Sequence, residues 1–268
     1  MKVFKHMNGI IIGAIHFPPL PGYDGYPGLD VALANAKADL QALVDGGVDG
    51  IIVENNYDIP HIINVTPEVA DAMIVLSQEL RKTTSLPMGV SVLWNDYATA
   101  FAVAKKACLQ FIRVPVFVDK VKTDYGLIEG APHTVIKCRS RLGADNVAIF
   151  ADVHVKHADI LTGCDQNTSA QRAITAGADA IIVTGKWTGN APDVSDVESM
   201  RQAVGDHPIL IGSGVNKDNV RPLFKHATGA IVSTSLKQAA AKAHDRNVHP
   251  YESRLEQERV AELVRAVR

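Results

Sequence analysis

Eight short apolar runs, each followed by a stretch of helical character, constrain this chain more than any other feature of its sequence. They fall at 10–15, 50–53, 88–93, 111–118, 147–153, 180–183, 208–211 and 230–232. Most are apolar throughout rather than alternating, as expected of strands buried on both faces in a parallel sheet covered by helices. The phrases Gly46-Gly47-Val48-Asp49-Gly50 and Ala176-Gly177-Ala178-Asp179-Ala180 nearly repeat one another, as successive βα units do. A (β/α)8 barrel takes ~250 residues, and the chain has 268 with no linker or break in composition. No G-x-G-x-x-G follows the first run, which argues against a doubly wound dinucleotide fold. The expectation is α/β: a single (β/α)8 TIM-barrel domain over residues 1–268.

Helix boundaries are written locally. Thr66-Pro67-Glu68 supplies an N-cap, a proline at the first helical position and an early acid. Ser195 and Glu198 have the spacing of a capping box. Gly46-Gly47, Gly143, Gly177 and Gly205 each stand shortly before a strand, where helices end. Val260, Leu263, Val264 and Val267 form an apolar stripe on a charged helix that would close the outer layer. Between the fourth run and its helix, residues 119–133 read as a long loop, either a functional lid or a tolerated insertion.

Charge and cysteines exclude several classes of function. Lys plus Arg number 27 against 29 Asp plus Glu, a formal charge of -2, so nothing electrostatic points to a nucleic-acid or acidic-membrane partner. Cys108, Cys138 and Cys164 are odd in number and form no C-x-x-C pair, which disfavours disulfides and structural zinc. Lys2 and Lys5 precede an apolar run too short for a signal peptide, with His16 and Pro18-Pro19 where a cleavage site would lie. No stretch approaches the ~20 apolar residues of a membrane helix. The chain reads as cytoplasmic. Its oligomeric state stays open, a homo-oligomer included.

In a barrel the chemistry lies at the C-terminal strand ends. Here those ends carry His16, Glu54-Asn55, Asn95-Asp96, Arg113 early in the fourth run, Asp152-Val153-His154-Val155-Lys156-His157, and Thr184. Period-two alternation would put Asp152, His154 and Lys156 on one face. Neighbouring ionisable groups shift one another's pKa values, which suits acid–base work. An Asp beside Lys156 would keep its amine charged, whereas a desolvated amine could form a Schiff base. Asp152 and His154, with Glu54 across the barrel, also have the donor types for a divalent metal, and no cofactor is otherwise indicated. A solvated, ion-paired strand end is the bland alternative.

Ile211-Gly212-Ser213-Gly214-Val215 after the seventh run, and Ser233-Thr234-Ser235 after the eighth, stand where many barrels hold phosphate. Glycines admit an anion close to backbone N–H groups, and a helix start near Asn219 would add its dipole. The phosphate-binding candidates are therefore Gly212, Ser213, Gly214, Thr234 and Ser235. Asn55, Asn95, Asp96, Arg113 and Thr184 are candidates for the rest of the substrate. Trp94 and Trp187 either stack on a ring or simply pack. His157 reads as a supporting group, and Cys164 as an idle thiol more than a nucleophile.

Taken together, the segments running from Gly13 to Gly22 and from Gly50 to Asn55, with Asn95-Asp96, Ala151 to His157 and Gly212-Ser213-Gly214, resemble the BtpA/SgcQ family over essentially the whole chain. The length and wording are most similar to the SgcQ branch, associated with a sugar phosphotransferase gene cluster. The resemblance implies a barrel of the phosphate-binding kind. It carries over no catalytic residue, because the family has none firmly assigned. The family name comes from a photosystem I biogenesis factor, and other members carry enzyme labels including nucleosidase.

Two classes of function follow. One is an enzyme acting on a small phosphorylated sugar or nucleotide-like metabolite, by aldolase, isomerase or decarboxylase-type proton transfer. Asp152, Lys156, His154, Glu54 and His16 are its catalytic candidates. Nucleoside hydrolysis, with Asp152 or Glu54 activating water, is the enzymatic alternative. The other class is a non-catalytic assembly or stabilisation factor, for which ionisable groups gathered at one mouth would be superfluous.

Overall fold

The computed structural model describes residues 3–4, 8–237 and 250–268; Lys2 and Lys5 lie outside them. In chain order the strands are β1 (Ile10–His16), β2 (Gly50–Glu54), β3 (Met88–Ser91), β4 (Phe111–Val114), β5 (Lys120–Thr123), β6 (Gly126–Glu129), β7 (Ala148–Val153), β8 (Asp159–Ile160), β9 (Ala180–Val183), β10 (Ile209–Ile211) and β11 (Gly229–Val232). The helices are α1 (Leu29–Gly46), α2 (Pro67–Arg81), α3 (Tyr97–Lys106), α4 (Pro132–Arg141), α5 (Gln166–Thr175), α6 (Val194–Val204), α7 (Val220–Leu223) and α8 (Gln257–Val267). Eight strands close a barrel in the order β1-β11-β10-β9-β7-β4-β3-β2. Every pairing within it is parallel.

Strand periodicity divides the core in two. Ile10, Ile12, Ala14, Ile52, Phe111, Phe150, Ala180, Ile182, Leu210 and Ile231 form one buried cluster inside the barrel. The intervening residues, such as Ile11, Ile15, Ile51, Val53, Ile112, Ile149 and Ile181, pack outward against the helices. At the floor, Phe111 and Phe150 stack with ring centroids 4.4 Å apart. Gly89 is required beside them, because a Cβ there would stand 2.2 Å from the Phe111 ring. One step further up each strand, the same alternation turns His16, Glu54, Arg113, Asp152 and Gly212 toward the axis. The apolar floor thus gives way to a polar ring at the mouth.

Several helix signals act as read. Thr66 accepts a hydrogen bond from the Val69 N–H with Pro67 following it, and Gly47 ends α1 in the left-handed conformation. Val260, Leu263 and Val264 are buried under α8. The Ser195/Glu198 capping box does not form. The helix begins earlier, at Val194 with Asp193 as its cap residue, so Ser195 is already inside the first turn. The helix after Asn219 has only four residues, too few for a useful dipole.

Residues 119–133 are not a loop. The fourth barrel strand stops at Val114, and β5 and β6 form an antiparallel hairpin that β8 joins to make a three-stranded sheet over the mouth. Val121 and Ile128 from this sheet pack on Trp94, Val116 and Val155. Asp119 ties it down, accepting from His154 N–H (2.9 Å), Thr162 Oγ1 (3.2 Å) and Ser169 Oγ (2.6 Å). A run with so few apolar residues does not look like strand, because a two-residue partner and one buried face suffice to hold it.

Candidate active site at the barrel mouth

Arg113 organises the polar ring. Its Nε and one terminal nitrogen donate to the two oxygens of Asp152, both at 2.8 Å, and the other terminal nitrogen reaches Glu54 Oε1 at 3.2 Å. All three residues are buried. Burial works against the guanidinium's charge, but the adjoining Asp152 and Glu54 carboxylates more than offset it and hold the group firmly protonated. The second oxygen of Glu54 lies 3.6 Å from His16 Nε2, a pairing set by the β1–β2 register, which aligns His16 with Glu54.

This arrangement changes the roles expected of the fifth barrel strand. Asp152 is fully buried and both its oxygens accept from Arg113, so it is the counter-ion of a fixed cation. The expected common face of Asp152, His154 and Lys156 does not exist. The strand ends at Val153, and His154 adopts a positive φ of 50°, which breaks the alternation and takes its side chain out of the cavity lining. Lys156 does line the cavity, its N–H anchored on Thr184 Oγ1 at 3.1 Å. Burial first and Arg113 second lower its amine to a pKa of about 8, Glu54 and Asp152 pulling the other way. Burial and the surrounding cations Lys237, Lys156 and Arg113 push His16 well below 6.5, so its imidazole is neutral at neutral pH. His157 is likewise depressed, to about 4, by burial and Lys156.

These groups share one cavity of about 640 Å³, which is also lined by Gly212 to Lys217 and Ser233 to Lys237. The proposed phosphate loops are therefore at the cavity, but their residues divide the work. Gly212 leaves room for the Ile182 side chain, whose Cγ2 would be 2.6 Å from an added Cβ, and its own N–H donates to Val183 C=O. Ser213 Oγ is consumed in linking Gly185 N–H to Asn190 C=O, and Ser235 Oγ donates to Val215 C=O. Gly214 has φ +69°, with the Asn190–Ala191 backbone against it. The amides of Gly214, Val215, Thr234 and Ser235 donate to no acceptor among the described residues, and Ser233 Oγ is buried without a partner. Such a set can receive an anion.

The remaining substrate candidates prove to be braces. Asn55 accepts from Leu93 N–H (2.7 Å) and donates to Asp58 and Leu93 C=O. Asn95 brackets Val116 with two bonds (3.0 and 2.8 Å), and Asp96 caps α3 through Thr99 while also holding Val65 N–H. Their amide and carboxylate groups are spent on backbone that leaves regular structure at the rim. Thr184 supports Lys156, as above. The metal set does not assemble either: a cation, Arg113, occupies the space between Glu54 and Asp152, and His154 is elsewhere. Among the described residues no group of three or more His, Cys, Asp or Glu is placed to hold a metal.

Sequence reasoning missed Lys237. It is buried at the cavity edge, with Nζ 3.5 Å from Tyr57 Oη and 5.8 Å from the Tyr57 ring centre. Burial lowers its pKa to about 8 despite attraction from Asp39. The available signal was its place in the loop after the eighth strand. His61 and Tyr125, which pair edge to face at 5.2 Å on the opposite wall, were also missed. Among the described residues no helix is long and apolar enough to cross a membrane.

The BtpA family profile matches residues 7–267. The Photosystem I biogenesis protein BtpA of Synechocystis sp. is 41% identical over 231 residues, covering 85% of this chain and 80% of that protein. An uncharacterized protein of Pyrococcus horikoshii is 36% identical over 232 residues, covering 86% and 88%. Among solved structures, N-(5'-phosphoribosyl)anthranilate isomerase from Pyrococcus furiosus superposes with a TM-score of 0.57 at 12% identity, covering 97% of this chain and 98% of its own. The native KDPGal structure gives 0.56 at 14% identity, covering 96% and 93%. At these identities the structural likeness concerns the barrel alone.

Proposed function

The chain belongs to the BtpA family, and from that premise and the geometry of its mouth we propose a single-domain cytoplasmic enzyme that moves a proton on a small phosphorylated metabolite. One observation carries the reading: a half-buried lysine and a neutral histidine share a single cavity with two loops that offer unspent backbone donors. Phosphate would rest on Gly214, Val215, Thr234 and Ser235, with Ser233 Oγ beneath. The carbonyl-bearing part of the substrate would then lie over Lys156 and His16.

The division of labour follows from protonation. Lys156 is mostly an ammonium below pH about 8 and can give its proton to a carbonyl oxygen as negative charge develops there. Neutral His16, held against Glu54, can accept the proton released from the adjacent carbon. Arg113 fixes Glu54 and Asp152, which leaves Lys156 without a private carboxylate and keeps its amine within reach of physiological pH. Isomerases use this step directly, whereas aldolases in the cleavage direction and decarboxylases form the enolate by breaking a C–C bond and use its reverse to protonate the carbon.

The test is exchange of carbon-bound hydrogen for deuterium in a panel of sugar phosphates, followed by NMR. Exchange should fall above pH about 8 as Lys156 deprotonates, and Lys156→Met should abolish it. Exchange that rises through that pH, together with a borohydride-trapped adduct on Lys156, would mean Schiff-base chemistry instead. The name of the Synechocystis relative favours a second reading, service in assembling a larger complex. Lys156→Met would leave that service intact.

A further inference from the structure

The barrel order fixes which parts of the rim face one another. Around the circle β1-β11-β10-β9-β7-β4-β3-β2, the β10–β11 edge lies opposite the β4–β3 edge. The phosphate loops follow β10 and β11. The wall facing them follows β3 and β4, and it is of another chemistry. Trp94 comes directly after β3, and Tyr125 is carried by the hairpin after β4. Ile59, His61, Leu93 and Val155 complete that side. Trp94 is 7% exposed and is packed from outside by the three-stranded sheet, so its position is fixed. Tyr125 and His61 meet edge to face at an interplanar angle of 80°, and both line the cavity.

We propose that the substrate is a phosphate monoester bearing a planar aromatic or heteroaromatic ring. Its phosphate would lie on the β10–β11 loops beside Lys237 and its ring against Trp94, His61 and Tyr125. The inference rests on the proposed phosphate site and extends it across the mouth. About 640 Å³ is in the middle of the range for drug-sized sites (~300–1,000 Å³) and leaves space beyond a phosphorylated sugar. His16, at the end of β1, and Lys156, just after β7, come from the parts of the rim between the two poles. The bonds joining ring to phosphorylated body would therefore cross the reactive groups. At the phosphate pole, Lys237 supplies a buried ammonium whose described hydrogen bond is the long one to Tyr57, so it remains available to an anion.

Calorimetric titration of the full chain tests this with inorganic phosphate, ribose 5-phosphate, the four common ribonucleoside 5′-monophosphates, phenyl phosphate and n-hexyl phosphate. The expected result is that at least one ring-bearing ester binds about tenfold to a hundredfold tighter than ribose 5-phosphate, the range that stacking on an aromatic side chain supplies. Tyr125→Ala should remove most of that advantage and leave phosphate binding unchanged, while Tyr125→Phe should retain it. Lys237→Met should weaken every phosphate ligand by a common factor. Equal affinity for ribose 5-phosphate and all ring-bearing esters overturns the proposal and leaves the phosphate site standing. Equal affinity for phenyl and n-hexyl phosphate, with no preferred nucleotide, also overturns it, because the wall is then merely apolar. If inorganic phosphate and every ester fail to bind, the phosphate reading on which it rests has failed.

Discussion

Replacing Arg113 by methionine keeps much of the side chain's apolar stem and deletes the charge that holds the mouth together. Two 2.8 Å bonds to Asp152 and one of 3.2 Å to Glu54 are lost, leaving two buried carboxylates with only Lys156 nearby to offset them. At an effective dielectric constant of ~20, one pair of unit charges ~4 Å apart is worth ~4 kcal/mol. Breaking a buried pair by removing one partner costs ~3–5 kcal/mol. Both routes give about 4 kcal/mol, which for a chain of this size lowers the melting temperature by ~8–16 °C. Excess buried negative charge is relieved by taking up a proton. The folded variant therefore binds more protons than its unfolded chain, and its deficit against the wild type should narrow as pH falls from about 7.5 to about 5.5. Adding Asp152→Asn should recover part of the loss, since the orphaned charge is then gone. Calorimetric melting of the three proteins at both pH values is the assay. If Arg113→Met melts within about 2 °C of the wild type, or the two substitutions simply add, Arg113 is not the keystone described above.

Other consequences are more local. Gly214→Ala would put a Cβ 2.0 Å from Ala191 N at a φ of +69°. The loops must then part, and affinity for inorganic phosphate should fall about tenfold by titration, a loss of ~1.4 kcal/mol. Asn55→Ala strands the Leu93 N–H, and urea unfolding should show a loss of about 2–3 kcal/mol. The folded variant should keep its ligand affinity, because Asn55 does not line the cavity. His157 titrates at about 4 when folded and near 6.5 when unfolded, so between those values the unfolded chain binds more protons. Stability should therefore fall as pH drops through that window, by up to about 2 kcal/mol after allowance for partial exposure, and His157→Gln should flatten the dependence in denaturation midpoints.

The barrel was legible because each strand is buried on both sides and so repeats the same short apolar signature. Thr66-Pro67 and Gly47 were legible because capping is decided within a few residues. What escaped depends on where a strand stops. His154 follows Asp152 at the right interval for a shared face, and only the backbone turn at φ +50° separates them. Asn55, Asn95 and Asp96 sit among the strand-end residues from which a substrate contact would come, but the rim itself has backbone groups needing partners, and these side chains supply them. Tyr125 and His61 lie 64 residues apart in the sequence yet meet edge to face. No periodicity links them; the hairpin that brings them together carries only a weak apolar pattern.

The pairing of Arg113 with Asp152 explains why the sequence motif Asp152-x-His154-x-Lys156 does not behave as its spacing suggests. Were Asp152 the partner of Lys156, the amine would stay charged well into the alkaline range and could neither lose nor regain a proton near neutrality. Arg113 takes both oxygens of Asp152 and one of Glu54, so a permanent cation neutralises half of the charge of the two carboxylates. Desolvation and then the Arg113 charge lower the Lys156 amine, the two carboxylates pull the other way, and it settles at about 8. Glu54 and Asp152 then balance Arg113 and Lys156, and Lys237 adds a further cation at the cavity edge while His16 is neutral. A chain with a net charge of -2 thus presents a local positive site at one end of its barrel. The proposed anion site therefore draws its charge from the mouth rather than from the chain as a whole, whose formal balance is negative.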